Sequence, residues 1–507
     1  MVRRPAKMAH LPAPTKGLYV NANIADAPPG TALTMTNVFP MRDDVRWRRG
    51  AAEYASGMPG DVETLMVYRN GTVEELYAAS GTKVYEVQSG SVSDVGITTT
   101  SARLEWFNFA NASGNYLFHV GGGDLFRYNG SAWTTSALTH ATVTEADLRF
   151  GWVFKARIWL VKDDLTAHYL DTDAITGTLN DFPLTGIFQL GGKLIAGATW
   201  SVDAGSGMDD MIVFLTDQGE VAIYNGDDPA TDFVLKGLYR VGKPLGRRCL
   251  LKAGGDLAVL TEDGLIPMSK AIQLDQAALT NEAISKPIAP LWRDLVRDFG
   301  DADGWQIVVW PREQMAVVNV PYSDISDAQQ LVVNIETGAW ARYTGWDALS
   351  WAVAGNALYY GTSTGEVVQA ETTGADLGSS YTGTIVYAFE AFKSTNLKVA
   401  NAARAFLRTT LETTPQITVM SDYELVDVDE PAASTNPAAS AIWDVSRWDL
   451  ATWPVLTTRV VRDWQAVTGH GLALAVGVAV AVNSADDEVV CRLSAVDVNF
   501  EMGEAFA

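Results

Sequence analysis

The fold is decided by residues 305–371, which begin Trp305-Gln-Ile-Val-Val-Trp310-Pro311 and continue Gln314-Met-Ala-Val-Val-Asn-Val-Pro321. Further β-branched and aromatic runs follow, each ended by a turn residue, and they include Ala357-Leu-Tyr-Tyr-Gly361. Runs of this kind predict successive antiparallel hairpins. Gly338 and Gly365 supply turn positions that tolerate positive φ. A hairpin cannot bury both of its faces alone, so we expect these hairpins to stack on neighbours.

The same plan of strand, turn and strand recurs upstream at a regular spacing. Its turns are centred at residues 81, 122, 163, 218 and 263, at intervals of 41, 41, 55 and 45 residues. A weak repeat of this length with one hairpin per unit is typical of β-propeller blades. We therefore predict an all-β fold with a propeller of about six or seven blades, in which strands from both ends of the segment complete one blade. A series of β-sandwiches is the competing interpretation.

The length favours more than one domain, because single cores stop growing near about 250–300 residues and this chain has 507. We predict an extended N-terminal arm over residues 1–50, the propeller over 51–372 and a β-rich platform domain over 373–507. Apolar residues spaced by three and four predict a short helical insertion near 284–299. The apolar run 472–482 is shorter than the ~20 residues that cross a bilayer, so it predicts a buried strand and no membrane span.

Charge is distributed unevenly along the chain. The whole chain carries a formal charge of −23, whereas residues 1–50 hold eight Lys or Arg and three Asp, a net of +5 that leaves −28 for the rest. Strong acidity argues against a dedicated nucleic-acid-binding protein, because phosphate contacts need clustered Lys and Arg. It is compatible with a surface that DNA passes without specific binding.

Two segments contain candidate subunit or partner contacts. The basic N-terminal segment is either a solvated terminus or a docking arm, and its candidates are Arg42, Arg46, Arg48 and Arg49, which we expect near acidic surface of this chain or a neighbour. Removing residues 1–40 is then expected to leave the body folded and to weaken assembly. The second segment repeats Trp443, Trp448 and Trp453. These rings either cover local hydrophobic surface or form an aromatic face for a sugar or a partner protein.

The sequence contains no recognisable catalytic constellation. Its five His residues show no metal-ligand spacing, and it has no nucleophile elbow and no phosphate-binding loop. Adjacent carboxylates such as Asp163-Asp164 could serve a glycosidase, but adjacent acids in turns are usually solvated. Cys249 and Cys491 stand 242 positions apart and predict buried thiols. We expect no enzymatic activity, no catalytic residues, no cofactor and no metal site.

Two stretches carry a resemblance to a known family. The first contains Pro12-Ala-Pro-Thr-Lys-Gly17-Leu-Tyr-Val-Asn21, Pro28-Pro29-Gly30, Asn37-Val-Phe-Pro40 and Arg49-Gly50. The second contains Trp305, Trp310-Pro311, Asn319-Val-Pro321, Asn334, Thr337-Gly338-Ala-Trp340, Gly345-Trp346-Asp347-Ala and Tyr360-Gly361. Together they resemble the tail nozzle proteins of short-tailed bacteriophages, also called tail tubular protein B or packaged-DNA stabilisation proteins. The strings consist of turn and aromatic residues and include no catalytic signature.

The resemblance implies a fold and a function. The family members have a β-propeller with a second β-rich platform, and six copies form a ring below the portal and adaptor proteins. The ring closes the DNA exit channel, retains packaged DNA and gives tail fibres or spikes a place to dock. The chain would then be made in the host cytoplasm and reside in the virion tail. A receptor- or glycan-binding β-propeller is the alternative function.

Overall fold

The structure is a computed structural model that describes residues 6–21, 23–203, 208–431, 458–484 and 489–503. The chain forms two compact units. The propeller unit comprises Glu53–Gln330 and Asp347–Gln369, and the platform unit comprises Met1–Ala52, Leu331–Trp346 and Ala370–Ala507. Within the described ranges, no helix is both long enough and apolar enough to cross a membrane.

Seven β-sheets follow one another along the part of the propeller unit that the structure describes, and we number them as blades 1 to 7. Blades 1 to 4 are four-stranded and antiparallel. The strands of blade 1 are Val62–Arg69, Glu74–Ser80, Lys83–Gln88 and Ser91–Thr98, and those of blade 2 are Glu105–Asn111, Gly114–Val120, Phe126–Tyr128 and Trp133–Thr135. The strands of blade 3 are Leu148–Phe154, Arg157–Lys162, Thr166–Tyr169 and Asn180–Pro183, and those of blade 4 are Leu194–Asp203, Met208–Thr216, Glu220–Asn225 and Val234–Arg240. A short parallel pair, Leu138–Thr139 with Gly177–Thr178, lies between blades 2 and 3 in sequence.

The remaining blades are less uniform. Among the described residues, blade 5 has three strands, Leu250–Ala253, Asp256–Thr261 and Gly264–Pro267. Blade 6 begins with Gln306–Trp310 and Met315–Val320, and the boundary between the units falls within the next strand, Gln329–Asn334. Blade 7 comprises Ser350–Ala354, Ala357–Gly361, Glu366–Ala370 and Ala52–Ser56.

The first strands of the seven blades close into a ring. The first strand of each blade contacts the first strand of the next, and that of blade 7 returns to contact Val62–Arg69 of blade 1. A cyclic order of contacts is the signature of a propeller and excludes a series of β-sandwiches. The prediction of an all-β propeller is therefore confirmed, and its blade number is seven.

Blade 7 joins the two ends of the propeller segment. Three of its strands come from residues 350–370, and the fourth, Ala52–Ser56, comes from the start of the segment. This pairing confirms the predicted closure. The turns predicted at 81, 122, 163, 218 and 263 all lie between the second and third strands of blades 1 to 5, so the sequence period is the blade period.

Helices cluster after blade 5. Helix α1 spans Met268–Ala271, α2 spans Gln276–Leu279 and α3 spans Ala289–Phe299, with a 3-10 turn at Lys286–Ile288. Trp292 and Leu295 are buried, and the Trp292 indole N–H donates to the Thr261 carbonyl of blade 5 at 3.1 Å. The predicted helical insertion is confirmed and packs on the three-stranded blade. The other 3-10 turns are Ile24–Asp26, Glu145–Asp147, Pro311–Glu313 and Ile325–Asp327.

The described part of the platform unit contains two sheets. In the first sheet, the strand next to Gln329–Asn334 is Trp340–Thr344. The strands that follow it across the sheet are Ala32–Thr36, Tyr381–Tyr387, Leu474–Val482 and Gln416–Ser421. Those of the other are Val38–Pro40, Val45–Trp47, Cys491–Met502, Lys398–Thr409 and Arg459–Val461, with Ala6–Pro12 and Gln465–Gly471 as additional partners. Every residue of Leu474–Val482 is buried, as the sequence predicts.

The first fifty residues differ from the predicted extended arm. Ala6–Pro12 pairs with Cys491–Met502, and Ala32–Thr36 pairs with Tyr381–Tyr387. The segment therefore supplies strands to both platform sheets. Its Pro- and Asn-rich composition lowers intrinsic strand propensity, but partners distant in sequence provide the hydrogen bonds that make these residues strands.

Candidate functional site

A pocket of about 290 Å³ lies where the first strands of several blades begin. Its charged lining comprises six cations and three acids: Arg103, Arg149, Lys193, Lys243, Arg247, Arg248, Glu105, Asp217 and Asp303. These residues come from blades 2 to 5 and from the approach to blade 6. A basic lining is unexpected in a chain with a formal charge of −23. We call it the axial pocket.

Arg248 spans the middle of the ring. Its Nε lies 3.1 Å from Glu105 Oε1, and its Nη2 donates to Thr64 Oγ1 at 2.7 Å and to the Leu104 carbonyl at 2.8 Å. Blade 5 contacts blades 4 and 6 in the ring of first strands, whereas these acceptors belong to blades 1 and 2. The side chain therefore crosses the propeller axis and holds opposite blades together.

Asp163 forms ion pairs with three of the cations that line the pocket. It lies in the turn after Arg157–Lys162, and its carboxylate is 3.1 Å from Arg149 Nε, 3.0 Å from Lys193 Nζ and 2.8 Å from Arg247 Nη2. Burial opposes ionisation of Asp163, but Lys193 and Arg247 outweigh that effect and hold its pKa below the ordinary value. We call Asp163 with these three side chains the Asp163 cluster.

The axial pocket was missed in the sequence because its cations are distant from one another. Arg103, Arg149, Lys193 and Arg247 are separated by 46, 44 and 54 residues, and each stands within three residues of the start of a blade's first strand. Equivalent positions of successive blades converge on the axis. The signal that could have found the pocket is thus a Lys or Arg that recurs with the blade period.

A second cluster joins His140, His168 and Asp181, whose candidate ligand atoms lie within 4.8 Å of one another. His168 Nδ1 is 2.7 Å and His140 Nε2 is 3.2 Å from Asp181 Oδ1. His140 Nδ1 accepts the backbone N–H groups of Thr142 and Val143, so Nε2 carries the ring proton and has no lone pair for a metal. Burial lowers the pKa of His168 and outweighs the carboxylate of Asp181. This geometry fits a hydrogen-bonded network around Asp181.

The predicted arginine contacts lie in the platform unit, and two of them are buried. Arg48 donates to both carboxylate oxygens of Asp376, at 2.8 and 2.5 Å, and its guanidinium lies 4.0 Å from the ring centroid of Tyr381. Arg46 Nη1 donates to Glu371 Oε2 at 2.7 Å. Both arginines meet acidic residues as expected, but inside the unit. A buried side chain cannot contact a partner, so docking by Arg46 and Arg48 is corrected to a structural role.

The other predicted contacts remain predictions. Arg42 is exposed and lies 3.9 Å from Glu336, whereas the Arg49 backbone N–H donates to Glu371 at 3.0 Å and its side chain is partly exposed. Trp443, Trp448 and Trp453 lie outside the described residues. Both cysteines are free and buried, as predicted.

The fold and the axial pocket define the class of this chain: a seven-bladed β-propeller with a second, β-rich unit. No protein-family model matches it, and no curated protein does. Among solved structures it is similar to the WD40 β-propeller domain of Doa1, with 12% identity over 64% of this chain and 97% of that chain and a TM-score of 0.38. It is also similar to BBS1N in complex with ARL6DN, with 11% identity over 65% and 99% and a TM-score of 0.38.

Proposed function

We propose that this chain is a tail nozzle subunit of a short-tailed bacteriophage. In this proposal it is a non-enzymatic structural protein of the virion tail, and six copies form a ring below the adaptor and portal proteins. The ring closes the DNA exit channel, retains packaged DNA and docks fibres or spikes. Oligomeric rings close by heterologous contacts, so each subunit needs two different complementary faces.

The observation that carries the proposal is that the first resembling stretch packs in the platform unit against the part of the second stretch that lies there, residues 334–346. The Leu18 N–H donates to the Trp340 carbonyl at 2.7 Å, and Asn334 Nδ2 donates to the Pro40 carbonyl at 3.0 Å. Gly17 has φ +83° and approaches Trp340 so closely that a Cβ atom would lie 2.6 Å from its backbone nitrogen. Residues some 300 positions apart, drawn from both resembling stretches, thus form one packed arrangement, and this supports the proposal.

The acidity of the chain supports a role beside moving DNA. Six copies would carry a formal charge of −138, six times the −23 of one chain. Acidic walls repel phosphate groups and keep adhesion low during ejection.

The proposal is tested in particles assembled without this chain. Such particles are expected to package DNA, to lose it on incubation and to lack distal tail parts. The measurements are nuclease-protected DNA over time and negative-stain images, with particles complemented by the wild-type chain as the control. Particles that retain their DNA and fail only to adsorb to cells would contradict the proposal.

The axial pocket favours a second candidate function, a propeller that binds a receptor or glycan. A basic pocket of about 290 Å³ is close to the lower size limit of small-ligand sites. In that case the purified chain would bind glycans or cell-surface material without other virion proteins.

A further inference from the structure

The Asp163 cluster holds hydrogen-bond donors that its own carboxylate does not use. Arg149 donates through Nε to Asp163 and through Nη1 to the Ala146 and Leu148 carbonyls, and its Nη2 has no acceptor among the described residues. The Lys193 ammonium has three N–H groups, and within the described ranges its only acceptor is Asp163. Donor capacity therefore remains for a further anion.

The charge of the cluster also favours an anion. Three cations surround one carboxylate, which leaves a local charge of +2 in a strongly acidic chain. Arg149, Lys193 and Arg247 line the pocket, and the Lys193 side chain is about two-fifths exposed, so a ligand in the pocket can reach it. Arg149 Nη2 offers charged N–H donors to an oxyanion, and Lys193 adds a compact point charge.

We propose that the axial pocket binds a small ligand through a phosphate or sulfate group, which Arg149, Lys193 and Arg247 hold together. Asp163 orients these cations and competes with the ligand for their donors. The binding does not depend on the nozzle function, and its failure would leave that proposal untouched.

Calorimetric titration of the full chain tests this proposal, with inorganic phosphate, sulfate and a nucleoside monophosphate as probes and the matching nucleoside as the phosphate-free control. We expect saturable binding of one oxyanion per chain and none of the nucleoside. Comparison of inorganic phosphate with the monophosphate distinguishes a free anion from a phosphate ester. Arg149→Ala and Lys193→Ala should each weaken binding about tenfold or more, because each removes charged hydrogen bonds.

Asp163→Asn should change oxyanion affinity in the opposite direction from the two Ala variants. The amide keeps the shape of the side chain but removes the competing charge, so oxyanion binding should become about tenfold tighter. Lys83→Ala and Asp94→Asn are the matched controls, because Lys83 and Asp94 form an exposed pair of the same kind outside the pocket. Near-ultraviolet circular dichroism verifies that each variant is folded. Absence of saturable binding by the wild type, or weaker binding by Asp163→Asn, would overturn the proposal.

Discussion

At the residue scale, the side chains that organise each unit are arginines with fixed geometry. Arg48 makes a two-pronged contact with Asp376 in the platform unit, and Arg248 crosses the axis of the propeller unit. The sequence singled out Arg48 as part of a basic cluster, but a count of charges cannot distinguish a buried pair from an exposed one. Arg248 gave no local signal, because its acceptors Thr64, Leu104 and Glu105 lie more than 140 positions away.

Arg48→Ala is expected to destabilise the platform unit by about 3–5 kcal/mol, because it leaves the largely buried Asp376 carboxylate without its charged partner. Arg48→Lys should rescue only part of this loss, since an ammonium cannot form the two-pronged contact. Scanning calorimetry measures the effect, and Arg42→Ala is the control, because an exposed pair at 3.9 Å contributes little. Equal melting temperatures for Arg48→Ala and Arg42→Ala would show that Arg48 is not structural.

The stability that the Asp163 ion pairs contribute should depend on pH. The pKa of Asp163 is lowered in the folded chain, so its stabilising contribution is fully present above the ordinary Asp value of 3.8 and is lost as the pH falls through the folded value. The melting temperature of the wild type should therefore exceed that of Asp163→Asn by a constant interval from pH 5 to 7, and this difference should shrink below about pH 4. Melting curves in buffers without phosphate or sulfate measure it. An interval that grows on acidification contradicts the assigned ion pairs.

At the element scale, turns could be predicted and pairing partners could not. Gly81, Gly219 and Gly264 have positive φ at the predicted turns, a local requirement that the sequence displays directly. The strand Ala6–Pro12 is different, because its partner lies nearly 490 residues away. Nothing in a local pattern specifies a partner at that distance. For the same reason the platform unit contains both chain ends, whereas the sequence divided them into an arm and a domain.

The strand pairing changes the expectation for removal of residues 1–40. The deletion takes Ala6–Pro12, Ala32–Thr36 and Val38–Pro40 out of the platform sheets. We expect the platform unit to unfold or aggregate and the propeller unit, residues 53–330 and 347–369, to keep its protection. Hydrogen exchange read by mass spectrometry resolves the two units, and deletion of residues 1–5 serves as the control. Native-like protection of Tyr381–Tyr387 in the deletion variant would show that the platform unit folds without residues 1–40.

Gly383 marks a close approach between the two platform sheets. The Trp47 indole N–H donates to the Gly383 carbonyl at 3.0 Å, and a Cβ atom on Gly383 would lie 2.3 Å from Trp47 Cδ1. Gly383→Ala should therefore destabilise the platform unit by about 1–3 kcal/mol, the usual range for overpacking. Gly186→Ala is the control, because nothing lies within 4 Å of its added methyl group and its φ is not positive. Similar unfolding of the two variants in urea would contradict the packing described.

At the scale of the whole molecule, we propose that this chain forms a ring at the DNA exit of a virion. Electron cryomicroscopy of the intact particle measures this most directly, because the two units provide a recognisable density. We predict six copies in one closed ring between the adaptor proteins and the fibres or spikes, around the path of the DNA. Copies found only at the distal tips of fibres, or a particle that contains none, would contradict it.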